Sequence, residues 1–223
     1  MSGLKYSALK IEIPEGTPSY IDEKGIRKIV ERYAPKLQAQ YVDSLKLDEL
    51  EAKIEKVAAI RRVEVFNKMT SQELNLSMQL VVRVYQREPI VRVITDKSNY
   101  YMDEEGVRID AKNTYAAKVP LVTGVVSEEY MRNDVLPLIK YIGADPFWSA
   151  QIKDIKVESD GELSMIPLVG SQVILFGKPI NFEEKFRNLF ALYDQGFSKM
   201  GWGKYETIDL KYKGQVVCST AMQ

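Results

Sequence analysis

The longest patterned stretch of the chain runs from Leu76 to Tyr85. Leu76, Met78, Leu80, Val82 and Val84 recur at every second position, while Ser77, Gln79, Arg83 and Tyr85 take the alternate ones around Val81. A spacing of two puts each set on its own face of a strand. Pro89, in Gln86-Arg87-Glu88-Pro89-Ile90, has no backbone donor, so central-strand pairing is not expected to continue unchanged past it. Tyr100 to Met102 and Val107 to Ile109 then flank Asp103-Glu104-Glu105-Gly106, which predicts a hairpin with Gly106 at positive φ.

Upstream, Leu9, Ile11 and Ile13 alternate with Lys10 and Glu12 in a half-buried strand stopped by Pro14-Glu15-Gly16. Ile26, Ile29, Val30 and Tyr33 fall on one helical face, and Pro35 ends the run. Leu47, Leu50, Ile54, Val57 and Ala58 predict a second amphipathic helix, with Asp48 and Glu49 suited to its positive N-terminal end. Val63 and Val65 alternate with Arg62, Glu64 and Phe66 in another strand, and a turn-rich segment from Lys68 to Asn75 is expected to lead back into the long strand. The order is β-α-α-β-β, and residues 5–92 read as one domain.

Residues 93–223 read as a second domain, a mixed β-sheet with flanking helices, which makes the chain α+β. Ser127, Glu128 and Glu129 suit a helix start, and Pro137 predicts a kink or a second start at Asn133-Asp134; Val135, Leu138, Ile139 and Ile142 face one way. Ile155 and Val157 alternate with Lys156 and Glu158 before Asp160-Gly161, a two-residue hairpin signal, with Leu163, Met165 and Leu168 beyond. Val173 to Phe176 is a strand closed by Gly177. Asn181 and Glu184 have capping-box spacing, and Phe182, Phe186, Leu189, Phe190 and Tyr193 form a stripe ended by Gly196. The last strand is Ile208 to Tyr212, after which Lys213-Gly214 turns the chain so that Gln215 to Cys218 can pair or extend. No internal repeat or low-complexity tract interrupts this order.

Composition narrows the chemistry. With 31 basic and 31 acidic side chains in 223 residues, the chain has no global field to draw in a nucleic acid or an anionic bilayer. It contains no histidine, which removes the commonest general base and zinc ligand. Cys218 is the single cysteine, so an internal disulfide and a multi-cysteine metal site are excluded, and no neighbour activates its thiol. A Ser-x-x-Lys nucleophile is absent after Ser98 and Ser149, and Gly124, Gly161 and Gly177 are isolated glycines that form no phosphate loop. Glu104 and Glu105 diverge into water in their turn, and Gln86-Arg87-Glu88 reads as local surface pairing. The chain therefore reads as non-enzymatic, with no cofactor and no metal. Trp148 and Trp202 read as core aromatics; at Tyr212, on a terminal strand whose edge is expected to be unpaired, structural and interface readings compete evenly.

The β-α-α-β-β start resembles a POTRA domain. Gln86-Arg87-Glu88-Pro89-Ile90, Tyr100-Tyr101-Met102-Asp103-Glu104-Glu105-Gly106 and Val119-Pro120-Leu121-Val122-Thr123-Gly124 resemble the FtsQ/DivIB family of bacterial cell-division proteins. Asp145-Pro146-Phe147-Trp148, Ile166-Pro167, Gly177, Trp202, Tyr205 and Ile208-Asp209-Leu210-Lys211-Tyr212 resemble that family's β domain, especially its Bacteroidetes-like members. The resemblance implies a single-pass inner-membrane protein with a periplasmic ectodomain that recruits coiled-coil partners of the FtsB and FtsL type. It also implies that the terminal strands carry this role, with Ile208, Leu210, Lys211, Tyr212 and Gly214 as the partner-binding residues. The turn after the tyrosine is shorter here than the family pattern.

No run approaches the roughly 18 to 20 apolar residues that span a bilayer. Met1-Ser2-Gly3 reads as a cloning remnant, so an apolar anchor preceded by Lys and Arg is expected upstream in the native protein. The alternative reading is a POTRA-containing translocation or outer-membrane assembly module that binds client strands by edge pairing.

Overall fold

The computed structural model describes residues 4–14, 22–72, 75–111, 116–197 and 205–220, with the side chains of residues 71, 72, 75 and 76 left aside. Trp202, Glu15 and Gly16 lie outside the described residues, as does the side chain of Leu76. The chain divides into two compact units, Met1–Glu88 with Ile109–Ala117 and Pro89–Arg108 with Lys118–Gln223.

The first unit is built on a three-stranded sheet of order β1-β3-β2, from β1 (Tyr6–Glu12), β2 (Ile60–Gln72) and β3 (Asn75–Gln86). β1 runs parallel to β3, and β2 antiparallel to it. Met78, Leu80, Val82 and Val84 of β3 are buried with Val63 and Val65 of β2, as the alternation predicts. Two helices cover that face, α1 (Glu23–Tyr33) and α2 (Leu47–Ile54), contributing Ile26, Val30, Leu50 and Ile54 to one core. Asp22 caps α1 by accepting a hydrogen bond from the Gly25 N–H at 2.8 Å.

Three expectations for this unit change. Val57 and Ala58 lie beyond the end of α2 in a turn, although Val57 still packs against the core. The segment from Lys68 is not turn-rich connector but strand, because Lys68, Met69 and Thr70 pair with Gln79, Met78 and Ser77. Pairing across a long hairpin supplies the ladder that local composition does not advertise. Gln86, read as surface, is buried where β3 pairs with the start of β2.

The second sheet has the order β12-β11-β10-β9-β8-β7-β4-β5-β6. Its strands are β4 (Pro89–Ile94), β5 (Asn99–Asp103), β6 (Arg108–Asp110), β7 (Leu121–Gly124), β8 (Ile152–Val157), β9 (Leu163–Pro167), β10 (Val173–Gly177), β11 (Thr207–Asp209) and β12 (Val217–Ser219). Pairing is mixed: β4–β7, β7–β8 and β10–β11 are parallel, while β4–β5, β8–β9, β9–β10 and β11–β12 are antiparallel. The expected domain boundary at 92/93 falls inside β4.

One face of this sheet carries the helices and the core. Ile155, Val157, Leu163, Met165, Ile174 and Phe176 are buried toward α3 (Glu128–Tyr130), α4 (Leu136–Ala144), α5 (Pro146–Gln151) and α6 (Phe182–Ala191), which supply Leu138, Ile139, Ile142, Trp148, Phe186 and Leu189. Trp148 is buried, as expected of a core aromatic. Asp103 organises the predicted turn: its Oδ1 accepts from the Glu105 and Val107 N–H groups, and Gly106 takes φ 77°.

Local chemistry elsewhere departs from the expected motifs. The helix begun by Ser127 does not restart at Asn133-Asp134. It widens into a π-type turn over Met131–Val135, and the regular helix resumes at Leu136 with Pro137 in its first turn, where a missing N–H costs nothing. The β8–β9 loop is longer than a two-residue hairpin: Glu158 bonds to Glu162, and Gly161 takes φ 78° within the three residues between. Asn181 has φ 51° and makes no side-chain cap, so the capping box does not form; the cap needs extended backbone, and this residue is left-handed. The helical path after α6 passes through Gly196 to Phe197 in a second π-type turn, and Phe190 and Leu168 are exposed.

Candidate partner-binding edge

Ile208 occupies the centre of β11 and is fully buried. It pairs with Ile174 of β10 on one side and Cys218 of β12 on the other. The expectation that the strand beginning at Ile208 forms a sheet edge is therefore corrected: β11 is an inner strand, and β12 is the edge. The strand is also shorter than Ile208 to Tyr212, since β11 ends at Asp209. Leu210, 2% exposed, extends the pairing by one bond, donating its N–H to the Leu175 carbonyl at 2.9 Å. The prediction that Gln215 to Cys218 return to pair agrees with β12, Val217–Ser219.

Lys211 and Tyr212 lie beyond the strand, where the chain turns toward β12. The Lys211 N–H donates to Asp209 Oδ1 at 2.8 Å, and its Nζ lies 3.3 Å from Glu162 Oε2 and 3.9 Å from Asp209 Oδ2. These carboxylates, Glu162 first through its hydrogen bond, raise the Lys211 pKa above its ordinary value. The Lys211 stem crosses Gly177, where a Cβ would meet Lys211 Cγ at 2.7 Å. Glycine thus lets the lysine lie flat across the end of β10. Tyr212 is 56% exposed and opens a turn closed by the Gln215 N–H donating to its carbonyl at 3.3 Å. Gly214 sits in that turn with φ 67° and open space around it.

A cavity of about 210 Å³ lies beneath this turn, with Glu162, Lys178, Lys185, Asn188, Lys211 and Tyr212 in its wall. Lys185 forms its inner side. Its Nζ donates to the Phe176 carbonyl at 2.7 Å and the Lys178 carbonyl at 2.8 Å, and stands 4.6 Å from the Phe176 ring centre. Burial lowers its pKa, opposed by Glu162 and Asp209. The wall also holds Lys213 and Glu184, so its lysines outnumber its carboxylates.

Of the residues named from the sequence, Lys211, Tyr212 and Gly214 are surface groups around one cavity, and Ile208 and Leu210 are the buried supports beneath them. Sequence reasoning missed the cavity's other lysines, the exposed Lys178 and the half-buried Lys185, which no local pattern sets apart from surface lysines. It also missed Val217, 41% exposed on the edge strand. Cys218 is partly buried, and desolvation raises its pKa, which disfavours the thiolate. Among the described residues no group of three or more Cys, Asp or Glu could hold a metal ion, and no helix is long and apolar enough to cross a membrane.

The sequence profile described as FtsQ/DivIB, C-terminal related, matches residues 88–219. That range contains the whole of the second sheet, the cavity and the edge strand. No curated protein matches the chain.

Proposed function

The chain belongs to the FtsQ/DivIB C-terminal related family, a family of membrane-anchored cell-division proteins, and from that premise we propose that it is a non-enzymatic divisome scaffold. In this reading it is the periplasmic part of a single-pass inner-membrane protein. The first unit serves as a POTRA domain, and the second recruits coiled-coil partners of the FtsB and FtsL type. Recruitment runs through the terminal strands. β12 adds the partner's extended segment by backbone pairing, Tyr212 and Lys211 select it by contact and charge, Gly214 shapes the turn, and Ile208 and Leu210 hold the strand in place.

The observation that carries this reading is the position of β12 at the end of the second sheet, with an exposed tyrosine and a lysine-rich cavity at the turn that leads into it. An edge strand supplies backbone donors and acceptors to any strand that reaches it, and adjacent side chains decide which one. The family match over residues 88–219 favours division over the translocation reading, because it covers this second unit. Depletion of the protein from the cells that make it tests the role. Filaments lacking septa, rescued by the wild type and not by a chain lacking β12, are the expected outcome; normal septation after depletion contradicts it.

A further inference from the structure

The other sheet has an edge of its own, along β2, and its chemistry is different. Val63 and Val65 are buried, so their side chains face the core of the first unit. Their N–H groups do not bond to β3. The Val63 N–H donates to Glu55 Oε1 at 3.1 Å, and the Val65 N–H donates to Glu51 Oε1 at 2.6 Å. In an antiparallel pair alternate residues turn their backbone groups away from the partner strand, so these N–H groups are the ones a further strand would use.

The spacing explains how a helix satisfies them. Glu51 of α2 and Glu55, which caps its C-terminal end with helical backbone, are one turn apart, about 6 Å along the axis, and Val63 and Val65 are two apart on β2, about 6.7 Å along the strand. α2 runs antiparallel to β2, so the later glutamate meets the earlier valine. In each case the glutamate follows a buried residue, Leu50 or Ile54, which fixes the helix against the core and leaves the carboxylate at its flank. The next place in the series is Leu47, which has no acceptor to offer Asn67.

We propose that Glu51 of α2 and Glu55 at its C-terminal cap act as a built-in substitute strand: they occupy the places of a neighbouring strand's carbonyls and close the Val63–Val65 part of the β2 edge against antiparallel pairing with a second copy of this chain. An uncovered edge of this length invites such self-association, and inward-turned charge is one way of preventing it. The inference concerns the first unit and is independent of the partner site on β12.

Amide hydrogen exchange on the full chain tests the closure first. The Val63 and Val65 amides exchange at least about tenfold more slowly than those of Asn67 and Met69, as one charge-assisted bond predicts. Equal rates at the four positions overturn the proposal. The consequence is tested by Glu51→Ala/Glu55→Ala against Glu51→Gln/Glu55→Gln in a sedimentation dilution series. The alanine pair shifts the mass toward a dimer that dissociates on dilution, while the glutamine pair, which keeps an acceptor at each site, matches the wild type. A folded alanine pair with the wild-type mass distribution overturns it; should that pair fail to fold, the exchange rates of the wild type and the glutamine pair decide.

Discussion

Ile208 lies directly opposite Cys218 in the antiparallel pair that ends the second sheet. That pairing takes Ile208 out of the class of contact residues and places it among the groups that hold the sheet together, with the exposed edge one strand further along the chain.

Ile208→Ala should therefore act on stability. Truncating a fully buried isoleucine typically costs about 2 to 5 kcal/mol, visible as a lower denaturant midpoint with an unchanged slope. Tyr212→Ala, at a 56% exposed position, should stay within about 0.5 kcal/mol of the wild type. Equal losses in the two variants would contradict the assignment of one residue to the core and the other to the surface.

Tyr193 makes stability fall at high pH. Its hydroxyl is buried, and desolvation pushes its pKa from 10.0 up to about 12. Between those values the unfolded chain has released the proton and the folded chain still holds it, so stability declines as pH rises through that window. Two pH units of displacement correspond to about 2 to 3 kcal/mol. Tyr193→Phe should lose that much less than the wild type between pH 10 and pH 12 in urea titrations. Parallel curves for the two proteins would count against it.

The unit boundary gives a third expectation. β4, Pro89–Ile94, pairs with β5 and with β7, and Val91 is fully buried. A fragment beginning at Pro89 should show native near-ultraviolet circular dichroism and a cooperative transition. One beginning at Val93 lacks four of that strand's six residues and should be markedly less stable, by at least about 2 kcal/mol from the burial lost. Equal stability of the two fragments would show that the strand contributes little.

Much of this fold is legible in the residues themselves. The alternation of Met78, Leu80, Val82 and Val84 gives a core face directly, and Asp103 to Gly106 specify their turn through side-chain acceptance and a left-handed glycine. Pairing order is not legible in the same way. The Lys213-Gly214 turn signals that Gln215 to Cys218 can come back against β11, but that β11 also lies parallel to β10 depends on Ile174 meeting Ile208 across α6, and no local pattern encodes that. The short helix α5 shows too few residues for a period, although Asp145 before Pro146 is a start signal, and its carboxylate does cap the Phe147 and Trp148 N–H groups. At the candidate site, Lys211 and Tyr212 are legible through the family resemblance. Lys185 is not, because its role comes from the Phe176 and Lys178 carbonyls gathered around it.

Charge at the site should show in salt dependence. Lys211→Glu reverses a cation that Glu162 and Asp209 hold in place where the chain leaves β11 for the edge strand. It should weaken capture of an acidic partner segment at low ionic strength and have a smaller effect at about 0.5 M salt, where screening shortens the reach of surface charge to a few ångström. A penalty independent of salt would place Lys211 outside the encounter surface.

The most direct measurement is calorimetric titration of this chain with the periplasmic segment of the proposed FtsB-type coiled-coil partner, comparing the wild type, Tyr212→Ala and a chain truncated before Val217. An interface tyrosine of the hot-spot class contributes about 2 kcal/mol or more, so Tyr212→Ala should bind roughly thirtyfold more weakly. Loss of β12 should abolish binding while the rest of the second sheet stays folded. Wild-type affinity in both folded variants would contradict recruitment through the terminal strands.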